Sequence, residues 1–313
     1  MPEYGYQLSA EEHAPLDLVR NAGRAEEEGF AFALVSDHFH PWLDRQGHSA
    51  FVWNVVGAIA ATTERLELGT GVTCPLIRIH PAIVAHAAAT SATMMPGRFF
   101  LGVGTGENLN EHVLGDRWPA PDERLELLEE AVELMRTLWE GGYQTFRGDH
   151  YVVEQARLYD LPDEPIRVMV AAAQPNAAEL AGRIGDGLVS TAPDREVVSS
   201  YGGDGPKYGK VTICWAESEE EAKQTAFEWF SNTAAPGELA TELALPRHYE
   251  QVAEVLSPED VGEKIACGPD PDRVLEQAKE YEDAGFDHLY FHQVGPDQDG
   301  FFRFWREELR GRL

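Results

Sequence analysis

A chain of 313 residues with 43% hydrophobic content is of globular size and composition, and no apolar run is long enough for a transmembrane helix. Its 54 acidic residues against 25 basic ones leave a net charge of −29, with five lysines, none before Lys207. That excludes a nucleic-acid surface, which needs a basic stripe, and it points to the cytoplasm of a salt-adapted cell, where molar salt screens the self-repulsion.

Strand-like and helix-like segments alternate along the chain. Tyr4–Leu8 reads as a first strand and Ala14–Glu28 as an amphipathic helix, with Leu16, Val19, Ala22 and Ala25 at helical spacing and Gly29 as its stop. Phe30–Val35 is apolar throughout, as a strand buried on both faces is. It ends in Ser36, Asp37, His38, His40 and Trp42, with Pro41 preventing its continuation. Ser49–Thr62 reads as a helix, Leu66–Gly71 as a third strand, and Pro81–Met95 as a helix opened by proline and ended by Pro96-Gly97. Phe99–Gly104 is a fourth strand and Pro121–Trp139 a long acidic helix. Tyr143–Arg147 and His150–Glu154 form a hairpin around Gly148-Asp149.

Ile166–Ala171, Gly187–Ser190, Lys210–Ala216 and Phe286–His292 supply strands five to eight. Helices are expected over Asn176–Ile184, Ser218–Ser231, Arg273–Ala284 and Phe301–Arg310. Residues 192–209 read as a loop because of Gly202-Gly203-Asp204-Gly205-Pro206. Eight strands with intervening helices predict a (β/α)₈ TIM barrel, one domain over residues 1–313, with insertions near 140–160 and 232–266; a doubly wound sheet is the alternative. Cys74, Cys214 and Cys267 are too scattered for a disulfide framework, and the N-terminus has no basic and apolar leader, so a reducing, cytoplasmic setting is expected.

In a barrel every strand's carboxyl end faces one mouth, so those ends nominate a site. The second strand contributes Asp37, His38 and Trp42, and the third Thr70, Gly71, Val72 and Thr73. The fourth contributes Gly104, Thr105, Gly106, Glu107 and then Asn110; the fifth Ala172, Ala173 and Gln174; the sixth Ser190 and Thr191; the eighth His292 and Gln293. Gly102–Glu107 is a poor dinucleotide fingerprint, since an acid stands where the third glycine belongs. Glycine-rich backbone there suits a flat ring approaching the chain closely. His38, His40 and Glu107 are metal-ligand types, but Pro41 breaks the strand beside them and no metal is expected. With no Gly-x-Ser-x-Gly elbow, a histidine, an acid and a tryptophan at one mouth fit proton and hydride chemistry.

Ser36–Trp42, Gly69–Pro75, Pro81–Ala85, Pro96–Arg98 and Gly102–Glu107 followed by Asn110-Glu111 together resemble the luciferase-like hydride-transferase family, in the branch of deazaflavin-using dehydrogenases. The match runs over about residues 3–190 and returns near 286–292. The resemblance implies a bacterial luciferase-like barrel, usually a homodimer, with coenzyme F420 in its mouth and a small alcohol, sugar or carbonyl compound as substrate. An FMN-dependent monooxygenase is the alternative of the same fold, and a barrel that carries or senses the cofactor without catalysis is a third reading. By the same resemblance His38 is a general base, Trp42 a substrate-side contact and Glu107 a proton donor. Asp37, Asn110, Ala172, Ala173 and Gln174 are cofactor contacts, and Gly71-Val72 is a non-prolyl cis peptide behind the ring. A carboxyl such as Glu107 would serve best in an apolar pocket, where burial raises its pKa. The glucose-6-phosphate branch clamps its phosphate with basic residues, and the matching positions here are Pro193, Glu263 and Asp299. Lys207, Lys264 or Arg303 could substitute for the clamp, but the departure predicts that glucose-6-phosphate is not the substrate.

Overall fold

The computed structural model describes residues 2–235 and 237–313. Eight parallel strands close into a ring: β1 (Glu3–Leu8), β2 (Phe32–Val35), β3 (Glu67–Thr70), β4 (Phe99–Val103), β5 (Arg167–Ala171), β6 (Gly187–Ser190), β7 (Lys207–Cys214) and β8 (His288–Gln293). Each pairs with its neighbour in sequence, and the ring closes where Glu3 faces His288 and Tyr6 faces Phe291. Alternation decides which side chains fill it, because successive residues of a strand point to opposite faces. Phe32, Leu34, Phe100, Met169, Val189, Tyr208 and Tyr290 form a plug inside the ring. Val35, Leu101, Val168, Val211 and Leu289 belong to the larger outer core under the helices. The fold is therefore the TIM barrel expected from the order of elements.

Most boundaries move by a few residues from those expected, and three differences are larger. First, 192–209 is not all loop. Arg195–Tyr201 is a helix, capped by Asp194, whose carboxylate accepts from the amides of Glu196 and Val197, and stopped by Gly202 in the left-handed region at φ 61°. Seven residues carry too little periodicity to outweigh the glycines that follow, and the helix exists because Val197 and Tyr201 bury themselves against the barrel. Second, β7 begins at Lys207 rather than Lys210, and a further short parallel strand, Ala266–Cys267, pairs with its end through Ala266–Ile213 and Cys267–Cys214. Third, the last helix starts at Gln298 and turns into a π-helix over Trp305–Leu309.

Two segments stand outside the alternation of barrel strands and helices. Gln144–Arg147 and Val152–Ala156 make an antiparallel hairpin outside the barrel. Residues 231–262 form short helical pieces: Ser231–Ala234, Leu239–Glu242, Pro246–Ala253 and Pro258–Gly262. The pairing of β6 with β7 stops at Ser190–Gly209, and beyond it β7 pairs with the Ala266–Cys267 strand instead. The ladder between β6 and β7 thus ends below the rim, while the second insertion reaches the loops after β2 and β4, where Tyr249 packs on Trp42 and the Asn108 side-chain amide donates to the Glu242 carbonyl.

Candidate active site

A cavity of about 420 Å³ lies at the carboxyl ends of the strands, within the size range of small-molecule sites. Asp37, His38, Trp42, Gly71, Val72, Glu107, Ala172 and Ala173 all line it. Asn110 and Gln174 do not. Asn110 is buried beneath the loop after β2, where its side-chain oxygen accepts from the amides of Phe39 (2.9 Å) and His40 (3.1 Å). Gln174 is exposed at the start of the helix Pro175–Ile184.

His38 stands at the centre. Its Nδ1 lies 3.1 Å from a carboxylate oxygen of Glu11 and its Nε2 lies 3.9 Å from Glu107. Glu11 follows β1 in a turn and is nearly inaccessible. Its second oxygen accepts from the hydroxyls of Ser36 (2.6 Å) and Ser9 (3.0 Å). Burial alone would raise its pKa, but His38, Ser36 and Ser9 outweigh that and hold the carboxyl below the ordinary value of 4.5. Glu107 is different: its side chain keeps 29% of its surface, so it sits at a polar rim rather than in the apolar pocket expected for a proton donor. Trp42 packs edge-to-face on His38, ring centres 5.0 Å apart, and Tyr249 of the insertion packs on the far side of Trp42 at 5.2 Å. The insertion therefore fixes the indole that walls off the imidazole.

Asp37 looks inward but is already engaged. It accepts from Thr73 Oγ1 (2.8 Å) and from Arg78 (3.1 Å), while Arg78 also donates to Glu111 (3.1 Å). Burial alone would lower the pKa of Arg78; Asp37 and Glu111 reverse this and keep the guanidinium charged. The triad ties the ends of β2, β3 and β4 together. His40 belongs to the supporting loop, its Nδ1 2.9 Å from the Leu109 carbonyl.

The peptide bond Gly71-Val72 is cis. A side chain at Gly102 would collide with the Thr70 carbonyl oxygen, and one at Gly104 would press on Val72 and Ala171. The glycines of β4 thus make room for the backbone after β3, and their direct neighbour is that bulge rather than a ligand. The outcome is a wall of Gly71, Val72, Gly104, Ala171, Ala172 and Ala173 on the β3–β5 side. Such a wall of small residues has the shape a planar ring system needs.

A family model described as luciferase-like monooxygenase matches residues 3–288. The chain belongs to the luciferase-like monooxygenase family. Two curated relatives are called F420-dependent glucose-6-phosphate dehydrogenase. That from Nakamurella multipartita is 36% identical, covering 99% of this chain and 96% of its own length. That from Nocardia farcinica is 38% identical, covering 99% and 98%. A solved structure of an F420-dependent secondary alcohol dehydrogenase, in complex with an F420-acetone adduct, superposes with a TM-score of 0.90 at 29% identity, over 98% of this chain and 97% of that one. Within this luciferase-like chain the positions matched to the phosphate clamp fall elsewhere: Pro193, Glu263 and Asp299 do not line the cavity, and Asp299 pairs with Arg24 on the surface.

Glu11 and Lys210 line the cavity and escape sequence reasoning. Glu11 had a signal, since the rule that nominated the other strand ends applies equally to Ser9–His13 after the first strand. Lys210 had none at its true place: as an expected first residue of a strand it reads as a solvated end, whereas it is the fourth residue of β7 and points inward with Tyr208 and Thr212.

Proposed function

We propose that this chain is an F420-dependent oxidoreductase that moves a hydride between an alcohol or sugar carbon and the deazaflavin. One observation carries the reading: an imidazole held between two carboxylates and against an indole, facing a wall of small residues across one cavity. That wall fits a flat tricycle, with Val72 and the cis Gly71-Val72 bond behind it and Asp37, Ala172 and Ala173 at its margins. Asn110 acts from beneath, shaping the loop that carries His38, and Gln174 is placed to meet only a portion reaching out of the cavity. When bound, the deazaflavin supplies a ring carbon that takes or returns a hydride.

The chain's own residues handle the proton. His38 Nε2 faces the cavity and takes the hydroxyl proton as the carbon is oxidised, or returns it to a carbonyl in the reverse direction. Glu11 stands 3.1 Å from Nδ1 on the side away from the substrate and orients the imidazole. Glu107, at 3.9 Å and open to solvent, passes the proton outward or donates it toward the ring. Trp42, braced by Tyr249, excludes water and sets the substrate's approach.

Glucose-6-phosphate is not expected to be a good substrate, although relatives bear its name. Among the described residues the cavity wall carries one lysine and no arginine, set among Glu11, Asp37, Glu107 and Glu111. A homodimer in the cytoplasm of a salt-adapted cell completes the reading. Fluorescence quenching of F420 and of FMN by the purified protein in molar salt tests it. Tight binding of F420 and weak binding of FMN is the expected result; tight FMN binding with no F420 binding overturns it in favour of the monooxygenase reading.

A further inference from the structure

Lys210 stands out among the cavity's groups. It lies on β7 just past Gly209, the last residue paired with β6, and its own register partner on β8 is Tyr290. In the ring this is the wall opposite Gly71-Val72, so a ligand lying against the small residues presents its far side to Lys210. Among the described residues no carboxylate forms an ion pair with its ammonium, and the Phe230 ring centre lies 5.5 Å from Nζ.

Most of the acids around it are committed elsewhere, the exception being Glu107, whose closest basic neighbour is His38 at 3.9 Å. Glu11 serves His38, Ser36 and Ser9. Asp37 and Glu111 serve Arg78. Glu12 binds His292 at 2.7 Å and accepts from the Gly295 amide. Burial lowers the pKa of Lys210, while Glu11, Glu107 and Glu12 oppose that from a distance. Gln7 Oε1 and Asn232 Oδ1, of the same cavity lining, are buried and have no hydrogen-bond partner among the described residues. An unpaired ammonium in a partly dry wall is costly, and an incoming anion removes the cost.

We propose that Lys210 is a specificity-determining residue that receives a carboxylate of the substrate, so that the enzyme acts on a small hydroxy acid or the matching keto acid. Charge counting favours a carboxylate over a phosphate. One ammonium balances one negative charge, whereas a phosphate monoester carries nearly two and would leave the second facing Glu11 and Glu107. The unpaired side-chain oxygens of Gln7 and Asn232 are acceptors, suited to the hydroxyl of the same ligand rather than to its carboxylate. This inference rests on the hydride-transfer reading above for the words "acts on", but not for the anion site itself.

The test uses matched probes in molar salt. The F420-loaded protein is assayed with 2- and 3-hydroxybutyrate, with the corresponding hydroxybutyramides, and with the phosphate monoester of propane-1,2-diol. A preference for acid over amide of about a hundredfold in kcat/KM, carried mostly by KM, is expected for one chain length, the range set by a charge-assisted hydrogen bond. In K210Q the acid-to-amide ratio falls to about one, and in K210R it stays above about tenfold. Equal use of acid and amide by the unmodified protein, or an unchanged ratio in K210Q, overturns the proposal; preference for the phosphate overturns the carboxylate assignment. Calorimetry of isobutyrate against isobutyramide on the cofactor-free protein separates the two failures. Lys210-dependent isobutyrate binding without F420 binding keeps the anion site and sinks the hydride-transfer reading. No isobutyrate binding alongside tight F420 binding does the reverse.

Discussion

His38 stands between two acids, Nδ1 3.1 Å from Glu11 and Nε2 3.9 Å from Glu107, and the two acids differ in surroundings rather than in type. Replacing His38 with alanine is expected to lower kcat by about 10²–10⁴-fold, the usual worth of a positioned base, with F420 binding still measurable by quenching; unchanged turnover would remove the base from the mechanism. Glu11 makes a second prediction. Its pKa is lowered in the folded protein, so its contribution to stability is complete above its ordinary value of 4.5 and is lost as the pH falls through the depressed folded value. E11Q should therefore be less stable than the parent by about 1–3 kcal/mol at neutral pH, and the gap should close on acidification below about pH 4.5. Melting curves across pH 3–8 read this directly; a gap that widens with acid contradicts the assignment.

The strands and their loops are set by close approaches of backbone. Thr70 Oγ1 donates to the Gly102 carbonyl (2.7 Å) and accepts from the Gly102 amide (3.1 Å), and Thr73 then pairs with Val103 to carry the ladder past the cis bond. Gly102→Ala puts a methyl against the Thr70 oxygen and should cost about 3 kcal/mol or more, because backbone on both sides cannot yield. Gly23, inside the helix Pro15–Glu27, has nothing within 4 Å of where a side chain would go. Gly23→Ala should instead stabilise by about 0.5–1 kcal/mol through helix propensity. Denaturant midpoints in molar salt compare the two, and a loss of stability in both would mean that the helix position is less open than its geometry indicates.

At the scale of the whole molecule, charge dominates. Several of the few cations are locked into local pairs, such as Arg117–Glu123, Arg183–Glu129 and Lys279–Asp283, and these surface contacts are each worth little. The excess acids remain mutually repelled until salt screens them. The melting temperature should rise by about 10 °C or more between low salt and about 3 M KCl; a melting temperature indifferent to salt would contradict the salt-adapted reading. The same scale explains the insertion. The helical pieces within 231–262 bring Tyr249 to Trp42 and Asn232 into the cavity wall, and so complete a mouth that the barrel alone leaves open.

The eight apolar strands, the alternation of elements and the polar residues that end each strand were legible in the chain, because local periodicity and chain-end chemistry dictate them. Thus Asp37, His38, Trp42, Gly71, Val72, Glu107, Ala172 and Ala173 could be nominated, and the cavity gathers all eight. What only the tertiary structure decided is pairing at a distance. Asn110 supports a loop 70 residues earlier instead of facing the cavity, Arg78 absorbs the charge of Asp37, Glu11 comes from the first strand to lie beside His38, and Lys210 turns inward with no ion pair among the described residues. The reason is physical: a residue's own neighbours in sequence fix its secondary structure, but which charge meets which is settled only when strands far apart in the chain close into one ring.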